Sequence, residues 1–119
     1  MVNELRVALP TVGKSGLRAK LDDTFSRAKS FTIVTVIDGD VKEVEVLPNN
    51  ASSIDQGVGP LVAKMLKDNK VDLVISKRIG PGATSVLEAL GLEVFEVDTG
   101  GKVKDVVANW LETRSQAGF

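Results

Sequence analysis

Hydrophobic and polar positions follow two clear periods along this chain, and they predict its elements in order. From Glu4 to Leu9 the apolar residues Leu5, Val7 and Leu9 recur every second position, the pattern of a half-buried strand. Phe31 to Ile37 is a continuous β-branched and aromatic run, and Asp38-Gly39 separates it from Val41, Val44 and Val46. An Asp-Gly pair between two such runs predicts a hairpin. Residues 10 to 30 are less regular, with Leu17, Leu21, Phe25 and Ala28 suggesting a helical turn or two. Pro48 to Gln56, "PNNASSIDQ", is a polar connection without a period of its own. Then the spacing changes: Val58, Leu61, Val62, Met65 and Leu66 fall on one face of a helix. "DLVIS", Asp72 to Ser76, is a short buried strand. Ala83, Val86, Leu87 and Leu90 mark a second helix that Gly91 can end as a left-handed cap. Leu92 to Val97 is the last strand, and Val103, Val106, Val107, Trp110 and Leu111 form a final amphipathic helix before a polar tail.

Two or three hairpin-joined strands followed by helix–strand–helix–strand–helix predict an α/β fold. The expected architecture is three-layered, a mixed sheet of about five strands with helices on both faces. This is the chain order of ribonuclease H-like folds. No linker or internal repeat interrupts it, so the 119 residues are read as one domain.

Composition narrows the function. A hydrophobic fraction of 43% and a charged fraction of 26% are those of a folded globule. The net charge of −1 offers no global attraction to nucleic acid or anionic lipid. Without an apolar run of membrane-spanning length or a signal-peptide core, the chain is expected to be cytoplasmic. The sequon Asn50-Ala51-Ser52 is then a chance match. The chain has no cysteine and no histidine. Disulfides, thiolate chemistry, imidazole acid–base catalysis and the usual zinc sites are therefore excluded.

"ALPTVGKSG", residues 8 to 16, is a loose match to a phosphate-binding loop. A working loop needs a strand, a glycine-rich turn and a helix starting at the Lys-Ser pair. Here Gly16 follows Ser15 at once and Pro10 removes an amide, so residues 10 to 16 are read as a surface loop. Better placed segments lie where strands end and helices begin, the usual ligand crevice of open α/β sheets. "SKRIGPGAT", residues 76 to 84, sets Lys77 and Arg78 before Gly80-Pro81-Gly82. "DTGGKVKD", residues 98 to 105, sets Gly100 and Gly101 at the mouth of the last helix, and "DQGVGP", residues 55 to 60, stands before the first. Free amides and cations there suit an anion, although each segment alone also fits a plain turn with solvated charges. Catalysis finds less support. The first strand has no central carboxylate to hold metal ions, Asp72 begins its strand, and Asp22-Asp23 lies in an irregular segment. No enzyme is expected.

"LDDTFSRAKSF", "DGDVKEVEVLPN", "VDLVIS", "IGPGA" and "DTGGKVKD", in this order and spacing, resemble the dinitrogenase iron–molybdenum cofactor biosynthesis family of nitrogenase accessory domains, from about Leu5 to Leu111. The resemblance implies a ribonuclease H-like fold without nuclease activity and a role in holding or handing over an iron–sulfur or iron–molybdenum cluster precursor. Family members often carry serine-x-histidine-phenylalanine-glycine-arginine-alanine. Here Thr24 stands in the histidine position and Ser26 in that of the glycine, while Phe25, Arg27 and Ala28 match. Lys77 and Arg78 precede the matching Ile79-Gly80-Pro81. Such clusters prefer soft or imidazole ligands, which this chain lacks. The resemblance thus implies outer-sphere binding of a cluster precursor or other small anion, with no metal-ligating side chain. Thr24, Phe25, Arg27, Lys77, Arg78, Gly80, Gly100 and Gly101 are the expected binding positions. Two alternatives stay open: an interaction module, a homodimer through the hairpin edge, or an enzyme on a phosphorylated or nucleotide substrate using Lys14.

Overall fold

Alternation along β1, Glu4–Val12, divides the interior into two halves. Val7 and Leu9 point to one side and Ala8 to the other, and all three are fully buried. The computed structural model describes residues 4–51, 57–98 and 100–117. After β1 come a 3₁₀ turn at Gly16–Arg18, β2 at Lys20–Leu21, β3 at Ser30–Ile37 and β4 at Asp40–Pro48. They are followed by α1 at Val58–Asp68, β5 at Leu73–Ser76, α2 at Pro81–Ala89, β6 at Glu93–Glu96 and α3 at Val103–Ala117. The sheet runs β4-β3-β1-β5-β6, with β2 paired to the end of β1. β3 is antiparallel to both β1 and β4, whereas β1, β5 and β6 are parallel.

One face of the sheet, with Val7, Leu9, Val34, Val36, Leu73 and Ile75, packs on Val103, Val106, Val107 and Trp110 of α3. The other, with Ala8, Phe31, Ile33 and Val74, packs on Val62, Ala63 and Leu66 of α1 and Leu87 of α2. The expected mixed sheet with helices on both faces is therefore present, with one short strand more than expected. Among the described residues no helix is long and apolar enough to cross a membrane.

Residues 10 to 30 depart from the sequence reading. β1 does not end at Leu9 but runs on to Val12, because Thr11 is fully buried and its hydroxyl joins those of Ser30, 3.2 Å away, and Thr32, 3.0 Å away. Ser30 Oγ donates in turn to the carbonyls of Thr11 and Gly13. Of the helical turn or two expected from Leu17, Leu21, Phe25 and Ala28, the 3₁₀ turn Gly16–Arg18 around Leu17 is present, and the other three positions are not helical. Leu21 belongs to β2, and Phe25 and Ala28 anchor a loop whose interior side chains mimic helical spacing. The phosphate-loop match dissolves too, since residues 8 to 12 are strand and only a three-residue turn follows Ser15.

Helix α1 has the expected apolar face except at Leu61, which is 46% exposed. The hairpin turns at Asp38-Gly39, where both residues have positive φ, 52° and 86°. An irregularity between Thr35 and Val36 lets Lys42 fall out of the β4 register. Gly91 takes φ 87°, the left-handed end of α2. Ser52 to Gln56, which includes part of the sequon and of the segment before α1, and Thr99 lie outside the described residues.

Candidate functional site

Topology brings every helix start to one rim. The parallel strands β1, β5 and β6 end there, and the pairings Thr11 with Ser30 and Ser30 with Pro48 put the end of β4 at the same rim. Each helix begins where such a strand has ended, so α1, α2 and α3 all present their N-termini to this carboxyl edge. The opposite end of α1 confirms the direction: Arg6, near the start of β1, donates through Nε to the carbonyl of Asn69 just past α1.

Three loops meet on Lys77. Its Nζ donates to Asp23 Oδ1 at 2.7 Å, which ties the segment after β2 to the segment after β5. A Cβ placed on Gly100 would stand 3.5 Å from Lys77 Cδ, so the loop after β6 runs alongside the same side chain. Farther back, Leu21 N–H donates to the Gly101 carbonyl and Val103 N–H to that of Ala19, which fixes β2 to the start of α3. The first turns of α1 and α2 also touch: a Cβ on Gly59 would lie 3.6 Å from Ala83 Cβ and 3.7 Å from Ser26 Oγ.

A cavity of about 510 Å³ opens at this meeting point, lined by Asp23, Lys77, Arg78, Glu96, Val97 and Asp98. Its two cations face three carboxylates. Hydrogen bonding and Coulombic attraction from Lys77, with a smaller contribution from Lys20, hold the Asp23 carboxyl below its ordinary range despite slight desolvation. Helix α2 opens on Gly80, with Pro81 in the first helical position and no side chain capping its free amides. Proline costs nothing there because its missing N–H would have lacked a partner. Ile79 is buried among the residues under α1 and α2 and anchors the loop between β5 and α2. Ser76, on the face of β5 that carries Val74, is fully buried, and its Oγ has no hydrogen-bond partner among the described residues.

The expected binding residues separate into groups. Lys77 and Arg78 line the cavity, and Gly80, Gly100 and Gly101 border the same rim. Thr24 is exposed beside them, but its N–H and Oγ1 both serve a local turn closed by Asp22 Oδ1. Arg27 is exposed on the same segment. Phe25 lies deeper: only 4% exposed, its ring meets Phe31 edge-on at 5.4 Å and belongs to the core. It anchors the loop. The carboxylates weighed for metal binding have structural roles as well, since Asp72 Oδ2 accepts from Arg6 N–H at the opposite edge.

Asn49 was hidden in a stretch that reads only as polar connection. It is 5% exposed, and its Nδ2 donates to the carbonyls of Ser26 and Ala28. Its backbone N–H donates to Lys29, and its Oδ1 accepts from Ala51 N–H. This one side chain holds the Asp22–Lys29 loop in place. A buried amide beside a strand end is a weak sequence signal, and only the fold reveals it.

The family model described as dinitrogenase iron–molybdenum cofactor matches residues 6–113. The chain belongs to this family. A relative in Methanocaldococcus jannaschii, an uncharacterised protein, is 32% identical over 98 residues, covering 82% of this chain and 79% of its own. Among solved structures, the apo form of the orange protein from Desulfovibrio gigas is similar at a TM-score of 0.81 and 26% identity, over 92% of this chain and 88% of its own. A Thermotoga protein solved by NMR as a NifB candidate gives 0.75 and 34%, over 92% and 90%.

Proposed function

We propose that this family member is a small accessory protein without catalytic activity. It carries an anionic metal–sulfide cluster precursor, of the kind that leads to an iron–molybdenum cofactor, at the carboxyl edge of its sheet. The observation that carries this reading is a cavity at the rim where the described helices begin, in which Lys77 and Arg78 stand among Asp23, Glu96 and Asp98 and behind which α2 starts without a side-chain cap. Helix starts bring partial positive charge and free amides, and the two side chains bring full charges. The donor set suits contact of this kind and does not suit metal bonds. The chain has no cysteine or histidine, and the described residues hold no group of three or more carboxylates able to share a metal ion. A sulfide-rich cluster would be held as an anion, through charge-assisted hydrogen bonds to its outer sulfurs.

Asp23 supports this reading as well. Its carboxylate rests on Lys77 as a tethered anion, 82% exposed, where a more highly charged guest can replace it. The orange protein was solved in an apo form, a description that presupposes a ligand in that relative. We also assign the sheet to the ribonuclease H-like type, because setting β2 aside leaves the order β4-β3-β1-β5-β6 with β3 alone reversed.

Anoxic gel filtration tests the proposal. Mixed with an isolated cofactor precursor, the protein should elute coloured and carry molybdenum or iron with its peak. Lys77→Ala/Arg78→Ala should elute colourless. A colourless wild-type peak rejects the carrier role.

A further inference from the structure

The far edge of the sheet offers a second surface, and we propose that β6 accepts an extended, basic segment of a partner protein as an added strand. Three cavities flank this four-residue edge. On the α3 side a groove of about 450 Å³ is lined by Leu73, Phe95 and Trp110, with Glu93, Thr113 and Arg114 among its other walls. A groove of about 330 Å³ continues it toward Glu96, Asp98 and Asp105. On the α2 side a groove of about 480 Å³ is lined by Glu88, Gly91, Leu92, Glu93 and Val94.

The backbone between these grooves is set for pairing. Glu93 N–H donates inward to Asp72 and Val97 N–H to Ser76. Successive residues of a strand alternate direction, so the N–H and C=O groups of Val94 and Glu96 point away from the sheet. β6 is the last strand of the described sheet, which leaves those groups as a template for one more. Strand addition of this type takes affinity from the main chain and specificity from alternate side chains. On one side an incoming apolar side chain meets Phe95 in the groove beneath α3. Glu93 shares the face of Phe95, whereas Val94 and Glu96 alternate to the α2 side, where basic side chains meet the exposed Glu88 and Glu96.

The same charges weigh against a second copy as the occupant. Antiparallel pairing of two β6 strands would gather the glutamates of both Glu93–Glu96 segments along one seam, and the other sheet edge, β4, carries Glu43 and Glu45. Like charges directly opposite are destabilising. A basic partner reverses each of those terms.

The experiment uses the whole chain and a fluorescent hexapeptide alternating lysine and valine, followed by anisotropy and amide hydrogen exchange. The peptide should bind and slow exchange at Val94 and Glu96, while the same peptide with glutamate for lysine should not bind. Glu88→Lys should weaken binding by about fivefold, since an attraction becomes a repulsion. Val94→Pro removes one outward N–H without touching a β5 bond, and should weaken binding about fivefold. If that variant misfolds, the charge reversal decides alone. Equal binding of the glutamate peptide, unchanged affinity after charge reversal, or protection away from β6 would overturn the proposal. So would a β6-mediated dimer detected by sedimentation without peptide. Glu88 and Val94 lie outside the cavity of Lys77 and Arg78, so the outcome is independent of cluster carriage.

Discussion

At the scale of single residues, the site is defined by Lys77 and the groups that compete for it. Asp23 occupies its ammonium, and the pairing depresses the Asp23 pKa. A carboxyl whose folded pKa is lowered contributes stability above its unfolded pKa and loses it as pH falls through the lowered value. The pair is therefore fully formed at neutral pH and opens only below the ordinary aspartate range. A carbon-detected NMR titration should place the Asp23 midpoint below that of an unpaired aspartate, and Lys77→Ala should move it upward. Asn49 acts at the same scale through packing. Replacing it with alanine strands the carbonyls of Ser26 and Ala28, which should cost about 2 kcal/mol in urea unfolding. Neither partner was visible in the sequence. Asp23 is paired with a residue 54 positions away, and Asn49 sits in a segment with no period to mark it as buried.

At the scale of elements, the sequence was legible wherever a local period matched a packed face. The strands of the hairpin, the strand–helix alternation after it and the left-handed ends at Gly39 and Gly91 all follow local rules. It misled where tertiary contacts override them. Phe25 and Ala28 have helical spacing but lie in a loop held by the Phe31 ring and by Asn49. Thr11 extends β1 because its hydroxyl finds buried partners on β3 that no local pattern announces. The turn itself permits a direct check. A Cβ at Gly39 would meet nothing within 4 Å, so Gly39→Ala isolates the backbone cost of φ 86°. It should lower stability by about 1 kcal/mol in denaturant unfolding, with an unchanged slope.

At the scale of the whole molecule, the parallel strands β1, β5 and β6 joined through helices make the two ends of the sheet unlike. One rim collects the helix N-termini with Lys77, Arg78, Gly80, Gly100 and Gly101, while the other collects the helix C-termini. That separation follows from element order alone, which is why the rim could be expected from the sequence. The sharing of the cavity between two cations and three carboxylates could not, because Glu96 and Asp98 come from the last strand and its exit. The most direct measurement of the central claim is amide shift mapping by NMR during titration with tetrathiomolybdate, a molybdenum–sulfide dianion. The largest shifts should fall on Lys77 to Ala83 and Gly100 to Val103, and should vanish in Lys77→Ala/Arg78→Ala. Shifts centred on the opposite rim, or a response that survives loss of both cations, would contradict the account.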